Sequence, residues 1–270
     1  MRITFSLITI LIFFSCTNIN KALKSKDAGY KLRMAEQYYA KKKYTLAQQL
    51  YEDVIPYYRG TPEFEDVYYK YAYTAYYMKD YLNAENLFRT YLEAFPKSTR
   101  AEEIDYMRAY TFFKQSPKAE LDQTNTIKAI GEMQEFIDTH PGSTRIKDAT
   151  EIIDISRKKL EVKDSKAALL YFEIGQFRAA SVAFNALLNT YPDSQRSDEY
   201  KYMSIKSFYQ FAQLSIEEKK GERYEQVIAE SADFLERFPQ SSFLKEVEQY
   251  LSLSQNHLKN ITNEPSKTPA

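Results

Sequence analysis

Residues 81–98, YLNAENLFRTYLEAFPKS, contain the clearest example of the pattern from which the fold can be predicted. Ala84, Phe88 and Tyr91 follow one another at intervals of four and three residues, which places them on one stripe of a helix. The proline near the end of the stretch stops that helix, because proline lacks the backbone N–H and restricts the residue before it. Ser98 then supplies a cap for the next helix. The stretch therefore predicts an amphipathic helix, a sharp exit turn and a second helix.

The same pattern recurs along the chain. An aromatic residue or His, then Pro, a variable residue and Ser occurs four times, with the prolines 45, 51 and 47 residues apart. At twelve, eight and five residues before each proline, eleven of the twelve positions are apolar or aromatic, and Ser231 is the exception. The exit motifs are Phe95–Ser98, His140–Ser143, Tyr191–Ser194 and Phe238–Ser241. An earlier unit, displaced by 37 residues from the second, has Tyr44, Ala47, Tyr51 and Val54 at equivalent positions.

Repeats of this spacing look like the tetratricopeptide repeat and predict an all-α fold, a helical-hairpin solenoid of about five units over residues 28–260. No alternating strand pattern is present in the sequence, so we expect no sheet. The units are longer than the usual repeat of about 34 residues, which implies insertions. We expect loops at the polar stretches Gln115–Thr124 and Glu217–Glu222, and one or two helices in the region Arg145–Ile174.

The N-terminus has the layout of a secretory signal peptide. Residues 1–15 read MRITFSLITILIFFS, and the apolar run is shorter than the roughly 20 residues that a spanning helix needs. Cys16, the only cysteine, follows at the position that bacterial lipoproteins acylate, although a chance cysteine in a plain signal peptide stays an alternative. We expect a signal peptide at 1–15, a lipidated linker at 16–27 and a disordered tail at 261–270.

Charge and motifs argue against several functions. Lys and Arg number 37 and Asp and Glu number 37, so nothing indicates nucleic acid. His140 and His257 lie far apart, and no metalloprotease motif or Gly-rich phosphate loop occurs, so we expect neither an enzyme nor a metal nor another cofactor. The adjacent pairs Glu102–Glu103 and Glu217–Glu218 are expected to be solvated surface.

In a solenoid of helical pairs, the first helices of successive units line a peptide-binding groove. Tyrosine suits such a groove because it combines a broad ring with a polar tip. Packing is expected to use at least half of the crowded tyrosines between residues 68 and 77. Arg108 could bind the terminal carboxylate of a ligand through its two-pronged guanidinium, but a plain surface ion pair is the favoured interpretation. The predicted groove residues are Glu36, Tyr39, Tyr69, Tyr73, Tyr76 and Arg108.

Several segments carry a family resemblance. Phe13–Cys16 resembles a lipobox, and AEEIDYMRAY at 101–110 and DQTNTIKAIGEMQEFIDTHPGS at 122–143 are similar to helices of the BamD family of outer-membrane assembly lipoproteins. The region from Lys159 to Ser194 resembles the family's long helix and fourth exit turn. The resemblance implies a periplasm-facing protein, lipid-anchored in the outer membrane. Its C-terminal units would bind the β-barrel insertase subunit, which has periplasmic repeat domains, and its N-terminal units would receive unfolded barrel precursors.

Two other functions remain open at this point. One is a generic periplasmic tetratricopeptide adaptor lipoprotein in envelope maintenance. The other is a carbohydrate-handling surface lipoprotein or a lytic enzyme fused to helical repeats, against which the absence of Trp and of a second domain argues.

Overall fold

The computed structural model describes residues 19–263 of the protein. Between these residues the chain contains a short helical segment at 19–24, eleven longer α-helices and no strand. The predicted fold class, an all-α tetratricopeptide-type series of helical hairpins, is confirmed. In chain order the helices are α1 Ala28–Ala40, α2 Tyr44–Tyr58, α3 Phe64–Tyr77, α4 Tyr81–Ala94, α5 Ala101–Gln115, α6 Thr124–Thr139, α7 Ile146–Glu173, α8 Phe177–Thr190, α9 Ser197–Gln213, α10 Glu217–Arg237 and α11 Leu244–Asn263.

The predicted apolar stripe is buried in the second helix of the hairpins. All twelve positions counted back from the four prolines are at most 3% exposed, and this includes Ser231, the one polar residue among them. The small residues Ala84 and Ala180 allow close helix contact, while Phe88 and Phe184 fill the space between helices. Burying side chains of this size contributes about 1.5–3 kcal/mol each, so this stripe supplies much of the stability.

The exit-turn serines were predicted to cap the next helix, but Ser98 instead binds a backbone N–H in the turn before that helix. Ser98 Oγ accepts the backbone N–H of Arg100 at 3.0 Å, and Arg100 is the residue just before α5. Arg100 itself makes no capping hydrogen bond through its side chain. The serine therefore organises the turn and is not the cap residue of the following helix, because the turn needs two further residues before helical geometry begins.

The chain divides into two compact units, with residues up to Arg157 in unit 1 and residues from Lys158 onward in unit 2. Unit 1 holds the hairpins α1–α2, α3–α4 and α5–α6 and the first part of α7, with cores around Leu50 and Phe88. Unit 2 holds the rest of α7, α8 to α10 and α11, with cores around Phe184 and Phe234.

Two local predictions are resolved or corrected. The region Arg145–Ile174 forms one helix of 28 residues, α7, because no Gly or Pro interrupts it before Gly175. The stretch Glu217–Glu222 is not a loop but the start of α10. Its Glu and Lys residues are good helix formers and pair along the helix, with Lys220 Nζ 2.5 Å from a Glu217 oxygen. The loop predicted at Gln115–Thr124 is present between α5 and α6.

The two ends of the fold extend further than predicted. Ile19 and Ala22, in the predicted linker, are buried against the first hairpin, at 8% and 0% exposure. At the other end, α11 continues to Asn263, three residues into the predicted tail. The signal peptide, Cys16 and residues 264–270 lie outside the described residues. No helix between residues 19 and 263 combines the length and the hydropathy needed to cross a membrane.

Candidate protein-binding surfaces

The first helices of the hairpins in unit 1, namely α1, α3 and α5, touch one another through their side chains. Lys70 Nζ of α3 lies 2.9 Å from Glu36 of α1. The ring of Tyr76 of α3 lies 6.4 Å from the ring of Tyr110 of α5. We call the surface of these helices around Glu36, Tyr39, Tyr69, Tyr76 and Arg108 the first-helix face; that it forms a peptide-binding groove stays a prediction.

Glu36 and Tyr39 lie at the α1 end of the first-helix face. The Glu36 side chain is 44% exposed and accepts a hydrogen bond from Lys70. Tyr39 is half-buried, with its ring centroid 6.3 Å from that of Tyr51 and 6.2 Å from that of Tyr77. Burial and the neighbouring tyrosines raise the pKa of Tyr39 above its usual range. Its hydroxyl is therefore neutral at all physiological pH values and can donate a hydrogen bond.

Tyr69 and Tyr73 have different roles from each other. Both hydroxyls donate to a Glu103 oxygen, that of Tyr69 at 3.0 Å. Tyr73 is 6% exposed and packs edge-on against Phe88, with ring centroids 5.3 Å apart. Its expected place in the groove is therefore corrected: Tyr73 belongs to the core and positions Glu103. The guanidinium carbon of Arg100 lies 4.4 Å from the centroid of the Tyr69 ring. A ligand that contacts Tyr69 would therefore contact Arg100 as well.

Tyr76 and Arg108 complete the face toward α5. Tyr76 is half-buried, and burial together with nearby tyrosines raises its pKa to about 12. Arg108 forms an ion pair with Glu132 and a second, at 3.7 Å, with Asp105. Only 17% of the Arg108 side chain is exposed. In the structure, Arg108 therefore has the predicted ion-pair role. Its guanidinium has little exposed surface left with which to bind the carboxylate of a ligand.

Sequence reasoning missed a charged network that links α1, α3 and the turn before α5. Lys70 Nζ lies 2.6 Å from Asp66, and Arg100 Nη1 lies 3.0 Å from the same carboxylate. Burial alone would raise the pKa of Asp66, but the hydrogen bonds and charges of Lys70 and Arg100 outweigh it and hold the pKa below its ordinary value. The sequence does contain a sign of this network, because an arginine lies four residues after the proline in three of the four exit turns. These are Arg100, Arg145 and Arg196.

The carboxylates expected to be plain solvated surface include structural ones. Ser98 Oγ donates to Glu65 at 2.7 Å, and Ser241 Oγ donates to Asp198 at 2.7 Å. We call this contact the acid–serine clasp, since it joins the start of a first helix to the exit turn of the same hairpin. Glu102 makes the same contact with its exit serine and stays exposed, as predicted. Glu103 is half-buried and accepts hydrogen bonds from the hydroxyls of Tyr69 and Tyr73, so its assignment to solvated surface is corrected. The other two clasps are Glu102–Ser143 and Glu161–Ser194, and in the last of these the acidic residue lies in the middle of the long helix α7.

Unit 2 carries a cleft that was not predicted. It lies among α8, α9 and α10 and has a volume of about 360 Å³. Val182, Phe208 and Phe211 provide its apolar walls, and Arg178 and Arg223 stand beside them. The guanidinium of Arg223 lies 4.0 Å above the Phe211 ring. The cleft therefore offers apolar contact together with positive charge.

Large apolar side chains are exposed at the helix turns of unit 2. Ile174 is 59% exposed, Leu214 is 74% exposed and Ile216 is 67% exposed. Val182, in the cleft, is 61% exposed. Exposed apolar side chains of this size next to a cleft are typical of a protein interaction site. The unit 2 cleft and these side chains together form the second candidate surface.

The histidines have packing partners. His140 Nε2 lies 3.2 Å from a carboxylate oxygen of Asp105, and its ring lies 4.9 Å from that of Phe136. His257 stacks on Tyr224 with ring centroids 4.8 Å apart. In the part of the chain that the structure describes, no group of three or more His, Cys, Asp or Glu residues is arranged to hold a metal ion.

The sequence matches the model of one family of known proteins. The YfiO family, described as outer membrane lipoprotein, matches residues 25–199, which is more than half of the chain. The chain belongs to the YfiO family. Membership associates the protein with the outer membrane. A curated relative from Aquifex aeolicus, named outer membrane protein assembly factor BamD, is 27% identical over 260 residues, covering 94% of this chain and 83% of the relative.

Two solved structures that the comparison with this chain found are tetratricopeptide proteins by name. The TPR2AB domain of yeast Sti1, in a complex with pHSP90, is 11% identical and covers 84% of this chain and 98% of that chain, with a TM-score of 0.41. A TPR protein of Thermus thermophilus is 14% identical and covers 85% of this chain and 100% of its own, with a TM-score of 0.32.

Proposed function

We propose that this YfiO family member is a non-catalytic lipoprotein subunit of the outer-membrane β-barrel assembly machinery. In this proposal it binds unfolded barrel precursors and the insertase subunit. The observation that carries the proposal is the 27% sequence identity to a BamD assembly factor, over a region that covers 94% of this chain. Two chemically different surfaces, one in each unit, support the idea of two different partners.

The first-helix face of unit 1 suits an extended polypeptide. Half-buried tyrosines such as Tyr39 and Tyr76 offer rings for apolar side chains and neutral hydroxyls for backbone carbonyls. The exposed carboxylate of Glu36 can accept backbone N–H groups or pair with basic side chains. A surface built on packed helices loses little conformational entropy on binding, so a small number of contacts is enough to bind an extended precursor.

The unit 2 cleft suits a folded partner. Its apolar walls and the exposed Leu214 and Ile216 provide the kind of apolar centre that stable interfaces use. The arginines Arg178 and Arg223 would pair with carboxylates on the partner. We therefore infer that the insertase subunit, through its periplasmic repeat domains, docks on unit 2.

Lipid on Cys16 would hold the protein at the outer membrane, facing the periplasm. The family description as outer membrane lipoprotein supports this, and so does the position of Cys16 after an apolar leader. Stable anchoring needs more than one acyl chain, which a fully acylated lipoprotein cysteine provides. Cys16 would then take no part in any other chemistry.

Site-specific photocrosslinking tests both surfaces. A photoreactive residue at Glu36 is expected to crosslink to unfolded barrel precursors, and one at Glu93 on the exposed side of α4 is the matched control. A photoreactive residue at Val182 is expected to crosslink to the insertase subunit, with the exposed Glu248 of α11 as control. Adducts with other periplasmic proteins at both positions, and none with barrel proteins, would contradict the proposal and favour a general envelope adaptor.

A further inference from the structure

The turns inside the first two hairpins of unit 1 carry lysines on an exposed edge. Lys41 and Lys42 lie in the α1–α2 turn, and Lys79 lies in the α3–α4 turn; all three are exposed. Tyr77 and Leu82 flank the second turn and are 43% and 67% exposed. We call this surface the basic turn edge and define it by these five residues together with Lys114, which is also exposed at the end of α5.

Ring contacts join these turns into one edge. Tyr44, two residues after Lys42, stacks on Tyr77, with ring centroids 4.6 Å apart. The ammonium group of Lys114 lies 5.9 Å from the ring of Tyr81, which follows Lys79 by two residues. Lysines from three successive hairpins are therefore held side by side by aromatic side chains.

Two of these lysines have a strained backbone conformation. Lys42 has φ of 56° and Lys79 has φ of 64°, in the left-handed region that disfavours side chains with a Cβ. The equivalent turn in unit 2 uses Gly175 instead, with φ of 76°. Because glycine would relieve the strain in both lysine turns, as Gly175 does in unit 2, lysine at these two positions points to a role outside folding.

We propose that the basic turn edge rests on an anionic lipid surface and orients unit 1 against the membrane. This inference depends on the lipid anchor of the proposed function, which keeps the chain close to a bilayer. Lysines beside an exposed Tyr and Leu match the boundary between headgroups and acyl chains, where basic groups meet phosphate and apolar side chains insert.

The path of the chain fits this placement. Ile19 packs on the first hairpin, and Cys16 precedes it by three positions, over which a chain can span at most about 10 Å. A lipid at Cys16 would therefore bring unit 1 within reach of the headgroups. One carboxylate, Asp80, also lies on this edge, where it accepts the backbone N–H of Asn83. The lysines outnumber it, so the edge remains positive.

Lysine footprinting of the full acylated protein tests the proposal. The protein is placed in vesicles of phosphatidylcholine alone or of phosphatidylcholine with phosphatidylglycerol, treated briefly with an amine-acetylating reagent and analysed by mass spectrometry. Lys42 and Lys79 are expected to react about fivefold more slowly on the anionic vesicles, and high salt should remove the difference. Lys97 and Lys147, which are exposed near the exit turns, serve as internal controls.

A pair of variants separates lipid binding from folding. The double variant Lys42→Gly and Lys79→Gly is expected to melt no lower than wild type, because glycine accepts the backbone conformation, while Lys41 and Lys114 lose their protection on anionic vesicles. The double variant Lys97→Gln and Lys147→Gln removes the same charge and should keep that protection.

Equal acetylation of Lys42 and Lys79 on both kinds of vesicle would overturn the proposal. Protection that is found only in intact envelopes would assign the edge to a protein partner and would also overturn it. Failure of the anchor is recognised separately, because the protein would then not sediment with neutral vesicles. In that case, slow acetylation with added anionic vesicles at low salt would still support the edge, and unchanged acetylation would refute it.

Discussion

The carboxylate of Glu65 holds the second hairpin together at its open end. It accepts hydrogen bonds from Ser98 at 2.7 Å and from Tyr91 at 2.8 Å. These hydrogen bonds, that of Ser98 first, lower the pKa of Glu65. In three of the four clasps the acidic residue lies in the first turn of a first helix, and in the fourth, Glu161–Ser194, it lies in the middle of α7.

The clasp has a consequence for acid stability. Because the folded-state pKa of Glu65 lies below its unfolded value of about 4.3, its contribution is fully present above that pH and is lost as the pH falls through the folded value. We expect Glu65→Gln to lower the melting temperature at neutral pH and to reduce its fall between neutral and acidic pH. Thermal melts over that pH range check this, with Glu93→Gln on exposed α4 surface as control; an unchanged pH dependence would contradict the role of Glu65.

Tyr73 gives a second prediction for a single residue. It is 6% exposed, and its hydroxyl binds Glu103. Tyr73→Ala is expected to destabilise the protein by about 3–5 kcal/mol, as for other large buried aromatics, and to lose peptide binding only as a result of unfolding. Denaturant unfolding measures the change, and Tyr57→Ala, at a position 66% exposed, should cost little. A Tyr73→Ala variant that is as stable as wild type but binds peptide more weakly would contradict the assignment of Tyr73 to the core and support its predicted place in the groove.

The second helices of the hairpins were predictable as elements because their burial is periodic. The residues twelve, eight and five positions before each proline are buried in all four repeats. Two kinds of element were harder to predict. The start of α10 is polar enough to look like a loop, but its Glu and Lys residues are good helix formers and pair along the helix, as Glu217 does with Lys220. The length of α7 depends on the absence of a breaker, which leaves one helix or two equally consistent with the pattern.

The register of these helices is tested at Ala84. It is 0% exposed within the core of unit 1, so the added methylene groups of Ala84→Leu have no space. We expect a loss of about 1–3 kcal/mol in the free energy of unfolding. The control is Ala94→Leu at the exposed end of the same helix, which should change stability little. Equal stability of both variants would refute the register.

At the scale of the whole molecule, the sequence pointed to the helical repeats but not to the surfaces between them. The crowd of tyrosines in α3 was visible, yet only the three-dimensional contacts separate buried Tyr73 from half-buried Tyr76. The unit 2 cleft combines residues from α8, α9 and α10 that no single helix pattern brings together. Side chains that meet across hairpins depend on tertiary packing, which repeat spacing alone does not specify.

The lipid anchor is a prediction about the whole protein in its envelope. Cys16→Ala is expected to remove the acyl chains and to release a folded protein from the membrane fraction. Fractionation of the envelope after a high-salt wash measures this, with the wild-type protein as control. Continued sedimentation of the variant with membranes would count against the anchor at Cys16.

The most direct test of the proposed role in barrel assembly is crosslinked affinity purification of the tagged protein from its native envelope, followed by mass spectrometry. The proposal predicts near-stoichiometric recovery of a large β-barrel protein with periplasmic repeat domains, and its loss when Val182→Glu places a charge in the unit 2 cleft. Recovery of other periplasmic proteins without any barrel protein would contradict it and leave the protein a general envelope adaptor.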